Sequence, residues 1–228
     1  MVIKHLKTNG NDRLLLIFLG WSGGPESPGA FDAEGYDITV VYDYRNPVPP
    51  PGLAERIARY RSCVLMGWSF GVWCAERYAA QAGFRPEMSV AVNGTSLPAD
   101  ERYGIPPRLL ALTLRSIRQQ GIDTFNRRMC GAFYPAYTPA ARPFDELCDE
   151  LRILSENFAE TSDGTGTLWD YAVVGECDRI FPPENQFRFW EKKRTFVIAC
   201  KELPHYPFTP EGNRLLAELL AGKYERPR

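Results

Sequence analysis

Ser69 sits in Gly67-Trp68-Ser69-Phe70-Gly71, where residue types and spacing could do acyl-transfer chemistry. The apolar run Val64-Leu65-Met66 leads into it and a helix-forming stretch, 75–82, leads out. A serine between a strand and a helix is the layout of a nucleophile elbow, which holds the hydroxyl clear of its own backbone. Glycines at 67 and 71 suit a turn where strand and helix backbones nearly touch. The same residues also suit a plain strand-to-helix turn with Ser69 as its N-cap. A base, an orienting acid and two oxyanion donors distinguish these cases.

The chain holds two histidines. His5 lies within a first strand and reads as a surface residue. His205 follows a strand at 195–200 and falls in a loop beyond that strand's C-terminal end, where a general base for Ser69 belongs. The acid should follow the preceding strand, 171–174. There Asp178 is placed to turn towards His205, with Glu176 as a rival; an N-cap or a surface pair with Arg179 would be the ordinary role of Asp178. The order Ser69, Asp178, His205 is that of α/β-hydrolases. In that arrangement one oxyanion N–H comes from Phe70, after the nucleophile. The other comes from the loop after an earlier central strand, where Gly20-Trp21 stands. Trp21 and Trp68 could also wall an acyl pocket.

These residues need a sheet to carry them. Strand-like runs fall at 2–7, 14–19, 38–42, 63–66, 89–93, 171–174 and 195–200, with helical patterns at 53–60, 70–82, 183–192 and about 210–221. The run 14–19 is continuously apolar, the mark of a central strand covered on both faces. The alternation predicts an α/β fold with a mostly parallel, doubly wound sheet, its site beyond the strands' C-terminal ends. The loop 20–25, rich in glycine, reads as mobile. Residues 94–167 exceed what a crossover needs and show helical periodicity at 107–120, 122–131 and 143–160, so they read as a helical lid inserted into a single domain.

The lid's charges are segregated. Residues 102–142 carry seven arginines (102, 108, 115, 118, 127, 128 and 142) and one acid, Asp123. Residues 143–163 carry seven acids against Arg152. Pairing between the halves and a docking face for an acidic or phosphate-bearing partner are both open. Arg108, Arg115 and Arg118 share a stripe beside Leu110, Leu114 and Ile117.

Composition restricts the rest. Hydrophobic residues make up 44% and charged residues 24%, with a formal net charge of −1. No whole-molecule field points to nucleic acid. The six cysteines are scattered without a Cys-x-x-Cys pair. Met1-Val2-Ile3-Lys4-His5 is charged and strand-like rather than an apolar leader. Reduced thiols in a soluble, cytoplasmic protein are expected, and no apolar run approaches the ~20 residues of a membrane helix.

Taken together, these motifs resemble those of the BioG-type pimeloyl-carrier-protein methyl ester esterases of biotin synthesis, a small α/β-hydrolase family. The resemblance runs along most of the chain: Gly20-Trp21, Tyr42-Asp43-Tyr44, Trp68-Ser69 with Gly71-Val72-Trp73, Ala75-Glu76-Arg77 and Ala91-Val92-Asn93-Gly94-Thr95. It continues in Gly104-Ile105-Pro106, Arg127-Arg128-Met129-Cys130-Gly131, residues 141–146, Asp178-Arg179-Ile180-Phe181 and His205-Tyr206. Leu19 stands where many α/β-hydrolases have a histidine before the glycine, as in this family. The resemblance implies a triad of Ser69, Asp178 and His205 and hydrolysis of a pimeloyl methyl ester on acyl carrier protein, without metal or diffusible cofactor. It also implies that lid arginines, among them Arg115, Arg118, Arg127, Arg128 and Arg142, meet the carrier and its phosphopantetheine. A broad short-chain carboxylesterase and a non-catalytic carrier-binding relative are the alternatives.

Overall fold

A computed structural model describes residues 1–49, 51–158 and 168–224. Seven strands form one sheet: β1 (Val2–Lys7), β2 (Arg13–Phe18), β3 (Asp37–Tyr42), β4 (Ser62–Trp68), β5 (Met88–Val92), β6 (Tyr171–Gly175) and β7 (Phe196–Cys200). Their order is β1-β3-β2-β4-β5-β6-β7. β1 lies antiparallel on β3, and every other pairing is parallel. The strand expected to be central is so: Leu14 to Phe18 are 0% exposed.

Because side chains alternate along a strand, β2 feeds two cores. Leu14, Leu16 and Phe18 pack with Leu53 of α1 (Leu53–Ile57), Val72 and Tyr78 of α2 (Phe70–Ala82) and Phe189 of α5 (Pro183–Lys193). Leu15, Ile17 and Leu19 face Leu215, Leu216 and Leu219 of α6 (Pro210–Leu220) together with Phe31, Ala33 and Tyr36. The irregular segment after β2 thus helps to cover the second face. The loop at 20–25 is pinned rather than mobile. Gly20 to Gly24 are buried, the Trp21 indole donates to Leu147 O at 2.7 Å, and Gly23 O accepts from Arg142 at 3.1 Å.

Between β5 and β6 come α3 (Pro107–Cys130), a 3₁₀ turn (Gly131–Ala136) and α4 (Phe144–Phe158). The expected helices at 107–120 and 122–131 are joined into α3, but Gly121 breaks its geometry with φ 73° and ψ 170°. Glycine reaches that left-handed φ without a Cβ clash. α4 buries Leu147, Leu151, Leu154 and Phe158, a stripe at helical spacing, against the Leu14-side core. The end of the segment expected to form a lid, 159–167, lies outside the described residues, as do Glu160 and Asp163 of its acidic half. Among the described residues no helix is long and apolar enough to cross a membrane.

Candidate active site

Strand register places the strand ends that carry the site side by side. Trp68 of β4 pairs with Val92 of β5, Val92 with Val173 of β6, and Gly175 with Cys200 of β7. Ser69, the loop after β6 and the loop after β7 therefore emerge at one edge of the sheet.

Ser69 occupies the turn between β4 and α2 with φ 58° and ψ −127°, a conformation a non-glycine residue holds only at a cost of about 1–3 kcal/mol. Neighbouring glycines make the turn possible. A Cβ on Gly71 would lie 2.1 Å from Phe18 O, and one on Gly67 would lie 2.7 Å from Val72 Cα. The hydroxyl caps nothing in α2. Instead Ser69 Oγ lies 2.9 Å from His205 Nε2, and His205 Nδ1 lies 2.8 Å from Asp178 Oδ2. All three residues are buried. Ser69 is therefore not the capping residue of a plain strand-to-helix turn.

Asp178 is held on both oxygens. Its Oδ1 accepts from the Ile180 and Phe181 amides, both at 2.8 Å, and its Oδ2 also accepts from Gln186 Nε2 at 3.1 Å. It caps no helix, since Pro182 precedes α5. Glu176, the rival acid, is exposed, and His5 lies on the edge strand against Thr39. Gln186 lay beyond the reach of sequence reasoning, because a buried amide on a helix has no local signature.

On the nucleophile's other side, a Cβ on Gly20 would come within 2.9 Å of Ser69 Cβ, so the Gly20-Trp21 backbone passes directly beside the serine. Phe70 begins α2, and its N–H is among the first four of the helix, which find no carbonyl within it. Trp21, Phe70, Ile105, Leu109, Leu110, Thr113, Phe125, Leu151 and Ile180 line an apolar slot of about 40 Å³ that reaches Ser69 and His205, with Arg128 also on its wall. Trp68 is absent from that wall, contrary to expectation. It is 1% exposed on the α6 side of the sheet, where its indole donates to His205 O at 2.8 Å. Side chains alternate along β4, so the Trp68 ring meets His205 from the α6 side, 5.9 Å between ring centres, rather than walling the slot.

Six of the seven lid arginines fall into four groups. Arg142, expected to meet a partner, has a side chain 7% exposed and pairs with Glu150 at 2.8 Å and Asp43 at 3.1 Å, so its charge is already met within the fold. Arg118 pairs with Asp145 at 2.7 Å and Arg127 with Asp123 at 2.9 Å, both on the surface. Arg128 donates to Arg179 O at 2.7 Å. Arg108 and Arg115 are exposed and form no ion pair among the described residues.

The family model described as BioG, pimeloyl-ACP methyl esterase, matches residues 1–210. The chain belongs to the BioG family. A crystal structure of BioG from Haemophilus influenzae superposes with a TM-score of 0.80 at 32% identity, covering 91% of this chain and 95% of that one. A Bacteroides fragilis (strain 638R) protein named malonyl-[acyl-carrier protein] O-methyltransferase is 33% identical over 212 residues. That match takes in 91% of this chain but 41% of the relative, so the chain spans about two fifths of that protein and the name belongs to the longer molecule. A thermophilic esterase from Thermogutta terrifontis shares the fold, with a TM-score of 0.67 at 15% identity over 98% of this chain and 94% of that one. Membership of this family supports a hydrolase of esterase type.

Proposed function

We propose that the protein hydrolyses the methyl ester of a pimeloyl group carried on acyl carrier protein, as part of biotin synthesis, releasing methanol and the carrier-bound acid. The observation that carries this reading is the hydrogen-bonded line from Ser69 through His205 to Asp178, opening on an apolar slot in a chain of the BioG family.

His205 Nε2 takes the Ser69 proton as Oγ attacks the ester carbonyl. The tetrahedral oxyanion accepts from the Phe70 and Trp21 amides. His205 then protonates the departing methoxide oxygen, leaving an acyl-Ser69 ester and methanol. Water enters, gives a proton to the same nitrogen as its oxygen adds to the acyl carbonyl, and His205 then returns that proton to Ser69 Oγ as the acid departs. Asp178 holds the Nδ1–H tautomer of His205 throughout. No metal or diffusible cofactor takes part.

The described part of the inserted segment, 94–158, acts as a lid over the slot. On α3, Arg108, Leu112, Arg115 and Gln119 fall at i, i+4, i+7 and i+11 and are exposed together, Leu112 at 55%. That stripe borders the slot-lining Leu109 and Thr113 and suits an acidic carrier with a small apolar contact. Arg108, Arg115 and Arg128 are cations offered to the carrier and its phosphopantetheine phosphate. The test is incubation with pimeloyl-carrier-protein methyl ester, followed by electrophoretic mobility. Conversion to the faster acid form is expected. Turnover of simple short-chain esters with an unchanged carrier substrate would favour a broad carboxylesterase. Binding without turnover of either ester would favour a non-catalytic relative.

A further inference from the structure

Asn93 follows β5 and holds φ 48°, a left-handed conformation that asparagine tolerates better than most residues. Its side chain is 0% exposed, and each end of the amide is used. Oδ1 accepts from the Gly175 amide at 2.8 Å. Nδ2 donates to Pro204 O at 2.7 Å and to His205 O at 3.0 Å. Gly175 closes β6 three residues before Asp178, and its carbonyl accepts from the Asp178 amide at 3.2 Å. One buried amide therefore ties the backbone that launches the acid to the backbone that carries the base. The next residue touches the nucleophile's turn, since a Cβ on Gly94 would lie 2.4 Å from Ser69 O.

We infer that Asn93 is a positioning residue that fixes His205 relative to Asp178 and Ser69. This role rests on the Ser69–His205–Asp178 reading. Past the last ladder pair the two loops still touch through the Glu176 amide on Cys200 O at 3.0 Å and the Cys177 amide on Leu203 O at 3.2 Å, but neither bond reaches Pro204 or His205. A water could satisfy the same carbonyls but would not fix their spacing. Trp68 Nε1 holds His205 O from one side, and Asn93 ties the Pro204 and His205 carbonyls to the Gly175 amide. Displacement of a catalytic group by about 1 Å costs on the order of 10²-fold in rate.

Two substitutions test this. Asn93→Asp keeps size and tolerates the left-handed backbone, but sets an oxygen against the Pro204 and His205 carbonyls. Asn93→Gly tolerates the same φ and deletes the bridge. In variants with native circular dichroism, kcat on a soluble methyl ester should fall by roughly 10²-fold with KM within twofold. Fluorophosphonate labelling of Ser69 should slow in proportion, and the far-downfield proton resonance of His205 Nδ1 should broaden or vanish. A folded variant with kcat within threefold of the unsubstituted protein, whatever its melting temperature, overturns the inference. If Asn93→Gly does not fold, Asn93→Asp decides. Failure of the unsubstituted protein to label at Ser69 would instead sink the triad reading, and the positioning role with it.

Discussion

Arg142 shows how residue identity and residue role part company. Its sequence position among lid arginines suggests a cationic surface, yet its guanidinium sits between Glu150 and Asp43. Burial pushes the Glu150 carboxyl above its ordinary range, with Arg142 and the Tyr44 amide opposing. Burial also opposes ionisation of Asp43, but the Arg45 hydrogen bonds and the Arg142 charge outweigh it and hold that carboxyl below its ordinary range. Removing one partner of a buried pair leaves an uncompensated charge, typically about 3–5 kcal/mol. Arg142→Met should therefore lower the urea midpoint substantially while KM for a carrier-bound ester stays near that of the unsubstituted protein well below melting. A stable Arg142→Met protein with a raised KM would return Arg142 to the partner's footprint. Burial was not legible here, because local spacing cannot say which arginine of seven meets an acid brought in from β3.

At the scale of elements, the sheet was legible because its apolar runs have strand length and its helices carry end signals. Pro210 opens α6, Thr209 caps it by accepting from the Gly212 amide at 3.1 Å, and Gly222 follows it. The order of Ser69, Asp178 and His205 was legible for the same reason: each follows a recognisable strand. What stayed hidden needed contacts across the chain. Asn93 meets residues more than 80 positions away, Gln186 reaches back from α5 to Asp178, and the glycine-rich loop after β2 is pinned by α4 and Arg142. The charge segregation of the lid is in part internal pairing. Arg118 and Arg142 pair with the acidic half, whereas Arg108 and Arg115 do not pair among the described residues. Reversing Arg108 and Arg115 together to Glu should raise KM for the carrier-bound ester by about tenfold or more, since charge-assisted contacts contribute roughly 1.5–3 kcal/mol each when desolvated and less at a rim. Turnover of a soluble ester should change little, and the carrier advantage should shrink with added salt. Equal losses on both esters would mean that the stripe holds α3 in place instead.

Across the whole molecule, stability and chemistry depend on different carboxylates. Asp37, at the start of β3, is buried. Burial alone would raise its pKa, but the Asn9 and Asn11 amides, the Asn11 side chain and the Tyr60 hydroxyl donate to it and hold it below its ordinary range. A folded pKa below the unfolded value of about 3.9 contributes stability that is present above that pH and lost as pH falls through the folded value. The melting temperature should therefore drop below about pH 4, and Asp37→Asn should be less stable at neutral pH with a shallower acid loss; an unchanged acid slope would remove Asp37 from the account. Asp37 has no part in the proposed reaction, whose residues lie at the opposite ends of the strands. That proposal hangs on one hydroxyl, and its removal should leave the turn, the slot and the charged stripe in place. The most direct measurement is therefore turnover of pimeloyl-carrier-protein methyl ester by Ser69→Ala beside the unsubstituted protein, both with native circular dichroism. The account predicts loss of nearly all turnover, on the order of 10⁶ in kcat as for other triad serines, with carrier binding retained. A folded Ser69→Ala protein that keeps more than a small fraction of the rate would contradict it.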